Sequence, residues 1–343
     1  MKTEIEYRIS EQNARSVFGV HEGVRINAKL RFIKLDGDDG RWSALAQIFR
    51  DRNGKGFYGW HIERNYSATE IEEAKLHLFQ ISAAVLPSAE ECGTAYDDTE
   101  ICPLCGYGRV QTSPLRLRIT KMPKRAEIAK SWGGEVIVSA RVARLLIDSG
   151  ITGFGLGPVQ RSKQGEEEPF SFSQTHSGRK LLAAAAKAGV KPPSPDFYVW
   201  INRRAQRDIF QSAVNEHERL RLTRRRLLGG TTPDWYQLFV TSPPVELSAE
   251  TRFGHNPFDN DPDGLNRCPL RLPDHVLGLN LLSQVSLQGS GWDASDFVRS
   301  RGLVGVRRGL IMPQSLLFIS TRLRDLLLTH SIKGWKSEVA QVS

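Results

Sequence analysis

The chain has 343 residues, 40% of them hydrophobic and 25% charged, with a formal net charge of +9. That length calls for roughly two domains, and the composition excludes global disorder. The N-terminal Met1-Lys2-Thr3-Glu4-Ile5-Glu6-Tyr7 has no apolar run and no stretch matches a membrane span, so a cytoplasmic protein without membrane partners is expected.

In chain order, residues 1–80 read as short strands followed by a helix. Leu30 to Leu35 alternates loosely, Asp36-Gly37-Asp38-Asp39-Gly40 is a turn cluster, and Ser67 with Glu70 forms a capping box. Leu115 to Thr120 alternates apolar and basic residues, as a half-buried strand does. Val136-Ile137-Val138 is strand-like, Ser139 caps a helix from Ala140 to about Ser149, and Gly150 ends it. Residues 160–195 hold two linker-like stretches around a short Ala-rich helix, Lys180 to Ala188. A long helix follows from Ile201 to Leu228, stopped by Gly229-Gly230, and a strand from Tyr236 to Thr241. Asp293, after Trp292, is placed to cap another helix that includes Asp296.

One stretch recurs near the end of the chain at a constant offset. Residues 136–146 lie over 317–327, and Ile151-Thr152-Gly153-Phe154 lies over Ile332-Lys333-Gly334-Trp335. Each copy reads strand, Ser cap, helix, Ile-x-Gly-aromatic, strand, which is a β-α-β element. The expected fold is α+β: two similar lobes from an internal duplication, each a small mixed sheet with a packed helix, plus a zinc-knuckle-like loop. The expected divisions are an N-terminal lobe over 1–160, a linker with an Arg-rich helical segment over 161–232, and a C-terminal lobe over 233–343.

Cys102-Pro103-Leu104-Cys105-Gly106 is the strongest chemical signal. Two thiolates in a Cys-x2-Cys turn can share one tetrahedral metal, and the glycine permits the tight turn. Two ligands are half a structural zinc site. Cys92, Cys268, His275, His61 and His77 are the remaining candidates, with Cys268 and His275 forming a Cys-x6-His pair. The alternative is a reduced thiol pair that has lost its metal.

The Arg-rich segment carries Arg203, Arg204, Arg207, Arg219, Arg221, Arg224, Arg225 and Arg226, interleaved with Asp208, Glu216 and Glu218. It reads as a solvated helix face, or as a contact for nucleic acid or for an acidic protein surface. Asp259-Asn260-Asp261-Pro262-Asp263-Gly264 starts like a calcium loop but reaches Leu270 at the twelfth position, so a polar turn is expected. Gly153 to Pro158 follows a helix instead of opening one, which makes it a backbone exit and not a phosphate loop. Metalloprotease, nucleophile-elbow and Walker patterns are absent from the sequence, so no catalytic residue is nominated.

On the Cys102 to Pro158 block, the chain resembles the myxobacterial paralogous family with double Cys-x2-Cys-Gly motifs. That family includes immunity proteins against swarming-inhibition toxins delivered by kin. The second motif is here reduced to Cys268. The resemblance implies Cys102 and Cys105 as metal ligands, Cys268 more weakly, and a stoichiometric binding protein whose partner is a cognate toxin, probed most directly through the neighbouring gene. A zinc-containing nucleic-acid-binding protein is the alternative.

Overall fold

The computed structural model describes residues 1–85, 88–97, 110–119, 122, 124–131, 133–162, 234–254, 257–258, 265–267, 276–278, 280–304 and 314–343. The fold is mixed, rich in strand and with few helices among the described residues. No helix among them is long and apolar enough to cross a membrane.

The N-terminal stretch, from Lys2 to Asn65, builds a sheet of its own. β1 (Lys2–Ser10), α1 (Glu11–Arg15), β2 (Val24–Asn27), β3 (Leu30–Asp36), α2 (Trp42–Asp51) and β4 (Phe57–Asn65) give the order β2-β3-β1-β4. Period-2 alternation buries Ile5, Tyr7 and Ile9 of β1 on one face. Glu11, itself buried, binds the guanidinium of Arg31, which is 1% exposed, and also meets Arg25 and Arg15. These cations, Arg31 first, hold the Glu11 carboxyl well below the usual carboxylate range. The sheet is fastened to the rest of the chain by Phe258, stacked on Tyr7 at 5.0 Å, and by Arg64, 3.0 Å from Glu338.

Next come α3 (Ala68–Glu73), β5 (Leu76–Ile81), β6 (Ala84–Val85), β7 (Tyr96–Asp97), β8 (Val110–Gln111), β9 (Arg116–Leu117), β10 (Ile128–Ser131), β11 (Val136–Ser139), α4 (Ala140–Asp148), β12 (Phe154–Pro158) and β13 (Gln160–Arg161). After residue 233 the chain forms β14 (Trp235–Val240), β15 (Phe253–Gly254), β16 (Leu265–Arg267), β17 (Val276–Gly278), β18 (Asn280–Leu281), β19 (Ser286–Leu287), β20 (Phe297–Val304), β21 (Gln314–Ser320), α5 (Thr321–Thr329) and β22 (Trp335–Val342).

Two sheets carry the body of the molecule. One has the order β12-β14-β11-β10-β6, the other β16-β17-β20-β21-β5-β22-β19. Along β12-β14-β11-β10-β6 the neighbours are antiparallel three times and then parallel. Along β22-β5-β21-β20-β17 they follow the same pattern. In both, the strands flanking the helix are separated by a third strand, antiparallel to each. The span 1–160 therefore contributes β5 to the seven-stranded sheet, and the span 233–343 contributes β14 to the five-stranded one.

Alternation again sorts the side chains. Val136 and Val138, Phe297, Ile319, Phe79, and the helix residues Val142, Leu146, Leu323 and Leu327 meet in one core shared by both sheets. Ile137, Ala129, Leu115, Leu117 and Val159 fill the opposite face of the five-stranded sheet. Phe318, Val298, Val285, Leu287 and Ala340 do so for the seven-stranded sheet.

The caps form as expected at Ser67 and Ser139, whose side chains accept from the Glu70 and Val142 amides. Gly150, at φ 62°, ends α4, whereas Ser331, at φ 53°, follows α5. Two expectations are corrected. The strand expected over Leu115 to Thr120 is confined to Arg116–Leu117 within the described residues. Asp293 caps no helix: its carboxylate accepts from the Ser295 amide in a local turn, and the chain enters β20 directly. The helices expected over Lys180–Ala188 and Ile201–Leu228, and the polar turn at Asp259–Gly264, lie outside the described residues.

Candidate binding face and interlobe clamps

Two long connections leave the outer face of the five-stranded sheet close together. The first runs between β7 and β8, where Asp97 pairs with Val110 and Tyr96 with Gln111. Cys102 and Cys105 belong to that connection and lie outside the described residues. Its base is latched to β14: the amides of Gln111 and Gln237 exchange hydrogen bonds of 3.0 and 2.8 Å. Tyr96 donates to Glu135, which also accepts from Ser131.

The second connection is residues 163–233. Its ends are neighbours, because Pro158 pairs with Tyr236 and the Val159 amide donates to the Trp235 carbonyl at 3.2 Å. A tight two-residue turn is enough to join antiparallel neighbours. Here the whole of 163–233 intervenes, carrying 13 Lys and Arg against 7 Asp and Glu. Arg203, Arg207, Arg221, Arg224 and Arg225 are among them and lie outside the described residues.

Cys92 sits between the two bases. It is 4% exposed, and its thiol hydrogen-bonds with the Arg118 backbone and the Ser162 side chain. Burial pushes this thiol's pKa up, which favours the protonated form over the thiolate a metal needs. Cys268 and His275 lie outside the described residues. His61 is exposed on β4, and His77 is 1% exposed on β5. No three His, Cys, Asp or Glu residues gather to hold a metal among the described residues.

Polar groups unforeseen in the sequence tie the two main sheets and their helices together. Arg322 reaches Asp296 at 3.3 Å and the Ser149 carbonyl at 2.5 Å. Arg141 reaches Glu127 at 2.7 Å and the His330 carbonyl at 2.7 Å. Asp296 is 4% exposed, and it also accepts from the Ser320 hydroxyl at 2.6 Å and from the Thr152 amide at 2.9 Å. This is the carboxylate that the sequence placed in a helix start. It works instead as a junction between the α5 cap and the exit from α4. The alignment of 136–146 with 317–327 already lays Arg141 over Arg322. It misses their acids, because Glu127 and Asp296 do not fall at matching positions: the β20–β21 connection is longer than the β10–β11 one.

At the exits from α4 and α5, a glycine lies against the backbone of the other sheet. Gly153, at φ 80°, would drive an added Cβ into the Phe297 carbonyl, and Gly334, at φ 107°, would drive one into that of Ile128. These contacts bind and orient backbone. They offer no nucleophile paired with a base. No protein-family model matches the chain, and no curated protein matches it.

Proposed function

We propose that this chain is a toxin-neutralising, immunity-type binding protein that acts by stoichiometric contact from the cytoplasm. The carrying observation is the Cys102 to Pro158 block, from Cys-Pro-Leu-Cys-Gly to Gly150-Ile151-Thr152-Gly153-Phe154, which resembles the double Cys-x2-Cys-Gly immunity family. Support comes from the outer face of the five-stranded sheet. The residues at the bases of both the Cys102/Cys105 connection and the basic 163–233 segment lie on it, side by side. A binding protein draws its affinity from a few anchors on a firm base. Arg203, Arg207, Arg221, Arg224 and Arg225 suit an acidic or neutral toxin face.

An internal duplication belongs to the same reading. It is supported by the constant offset of the repeated stretch, by the shared strand order, and by the paired caps Ser139 and Ser320. The paired clamps of Arg141 and Arg322 agree with it. So does the recurrence of Val85-x-x-Ser88-Ala89-Glu90 as Val245-x-x-Ser248-Ala249-Glu250. Zinc on Cys102 and Cys105 would supply a structural staple. Metal analysis of the purified chain should then give about one zinc, lost together with several degrees of melting temperature in Cys102→Ser. A metal-free chain with unchanged melting would remove zinc from the proposal.

The decisive experiment co-expresses the product of the neighbouring gene with and without this chain. Rescue of growth, and a 1:1 complex on size exclusion, are expected. A product that kills equally in both strains ends the reading. The charge of the 163–233 segment favours one rival, a nucleic-acid-binding protein. That rival requires DNA or RNA binding that weakens steeply with salt.

A further inference from the structure

The two lobes have traded strands. β14, which opens the C-terminal half, lies between β11 and β12 of the N-terminal lobe. β5 precedes the β10–α4–β12 unit in sequence, yet lies between β21 and β22 of the C-terminal lobe. Each traded strand then crosses back. The Ser82 amide donates to the Gly334 carbonyl at 2.9 Å, and Ala84–Val85 runs parallel to Lys130–Ser131. The Thr241 amide donates to the Gly153 carbonyl at 2.9 Å, and Val245 bridges Ser300, also in parallel.

Without its visitor, each sheet would hold an empty slot with unpaired backbone on both sides. The slot takes an extended strand whose alternate apolar side chains reach the shared core: Phe79 and Ile81 in one case, Tyr236, Leu238 and Val240 in the other. We infer that the chain is an intramolecular dimer in which neither lobe holds its fold without the strand lent by the other. The interface therefore fits one partner, the other half of this same chain. The inference goes beyond toxin binding, and its test uses no toxin.

A recognition sequence for a specific protease is placed within 163–233, and the folded full chain is cut after purification. The cut chain should elute as one species at micromolar concentration and melt in one transition. Pieces that part and lose their structure would also support mutual dependence. Pieces that part while each keeps a cooperative melt would overturn it. A second measurement uses the uncut chain. Leu238→Ala in β14 should lower amide protection by more than about tenfold in β11 and β12 and equally in β21 and β22. A loss confined to the five-stranded sheet would overturn the inference.

Discussion

His77 is a histidine in a place that excludes its charged form. It lies on β5, opposite Ile319 and Val339, with its Nε2 3.2 Å from the Thr321 hydroxyl. Burial first, and the Arg324 cation second, push its pKa down to about 4, with Asp325 opposing. The folded state thus binds this proton less readily than the unfolded chain, whose histidine titrates near 6.5. Stability from this residue is complete above pH ~6.5 and declines as the pH falls toward 4. The loss reaches about 3 kcal/mol by linkage. Melting temperature measured from pH 7 to pH 4 should fall less steeply in His77→Gln than in the parent chain. Parallel curves for the two would refute the assignment.

The two carboxylates of the interlobe clamps make a second comparison between single residues. Asp296 has a side chain 6% exposed and satisfies a hydroxyl, an amide and a guanidinium, whereas Glu127 is 23% exposed and meets mainly Arg141. Asp296→Ala strands buried donors and should cost about 1–3 kcal/mol. Glu127→Ala removes a partly solvated pair and should cost about 1 kcal/mol or less. Urea unfolding of the two variants checks the order, and equal losses would mean that Asp296 is not a junction.

Among elements, α4 and α5 were legible because local rules define them. A serine cap, apolar residues at helical spacing and an exit turn follow one another closely in the sequence. The strand that follows each helix was legible for the same reason. β14 is legible as a strand but not its place, and β5, which follows the Ser67 helix, is not legible as a strand at all, since the partners of both lie in the opposite half of the chain and only the closed sheet selects them. The Asp293 cap misled because a local Asx turn uses the same residue types as a helix start. The Cys102/Cys105 motif and the Arg203–Arg226 stretch, expected as a knuckle and a helix, lie outside the described residues.

The exits from α4 and α5 show how an element-level feature serves the interface. The glycine of each Ile-x-Gly-aromatic stretch has a physical reason in the geometry. The glycine must be left-handed, and it must also let the opposite lobe's carbonyl approach where a side chain would stand. Gly334→Ala should therefore cost about 1–3 kcal/mol from backbone strain alone, before the collision with the Ile128 carbonyl is relieved. Gly302 tests the contrast, because nothing lies within 4 Å of the Cβ it would gain. Gly302→Ala should melt within a degree or two of the parent chain, and Gly334→Ala well below it. Similar melting of both variants would show that the close approach is not enforced.

At the scale of the molecule, each of the two main sheets is closed by a strand from the other half of the chain. The ends of the 163–233 segment stand one hydrogen bond apart at Val159 and Trp235. Shortening a loop whose ends already meet lowers its closure entropy, by roughly 0.6 kcal/mol per halving of its length. Replacing residues 163–233 with a short Gly/Ser linker should thus leave the melting temperature unchanged or slightly raised. It should also remove 13 Lys and Arg together with 7 Asp and Glu. If the Arg-rich segment is the toxin contact, the shortened chain stays folded and fails to rescue growth. A shortened chain that still rescues growth would move the contact to the Cys102/Cys105 connection on the same face. A shortened chain that no longer folds would show instead that the segment completes the core.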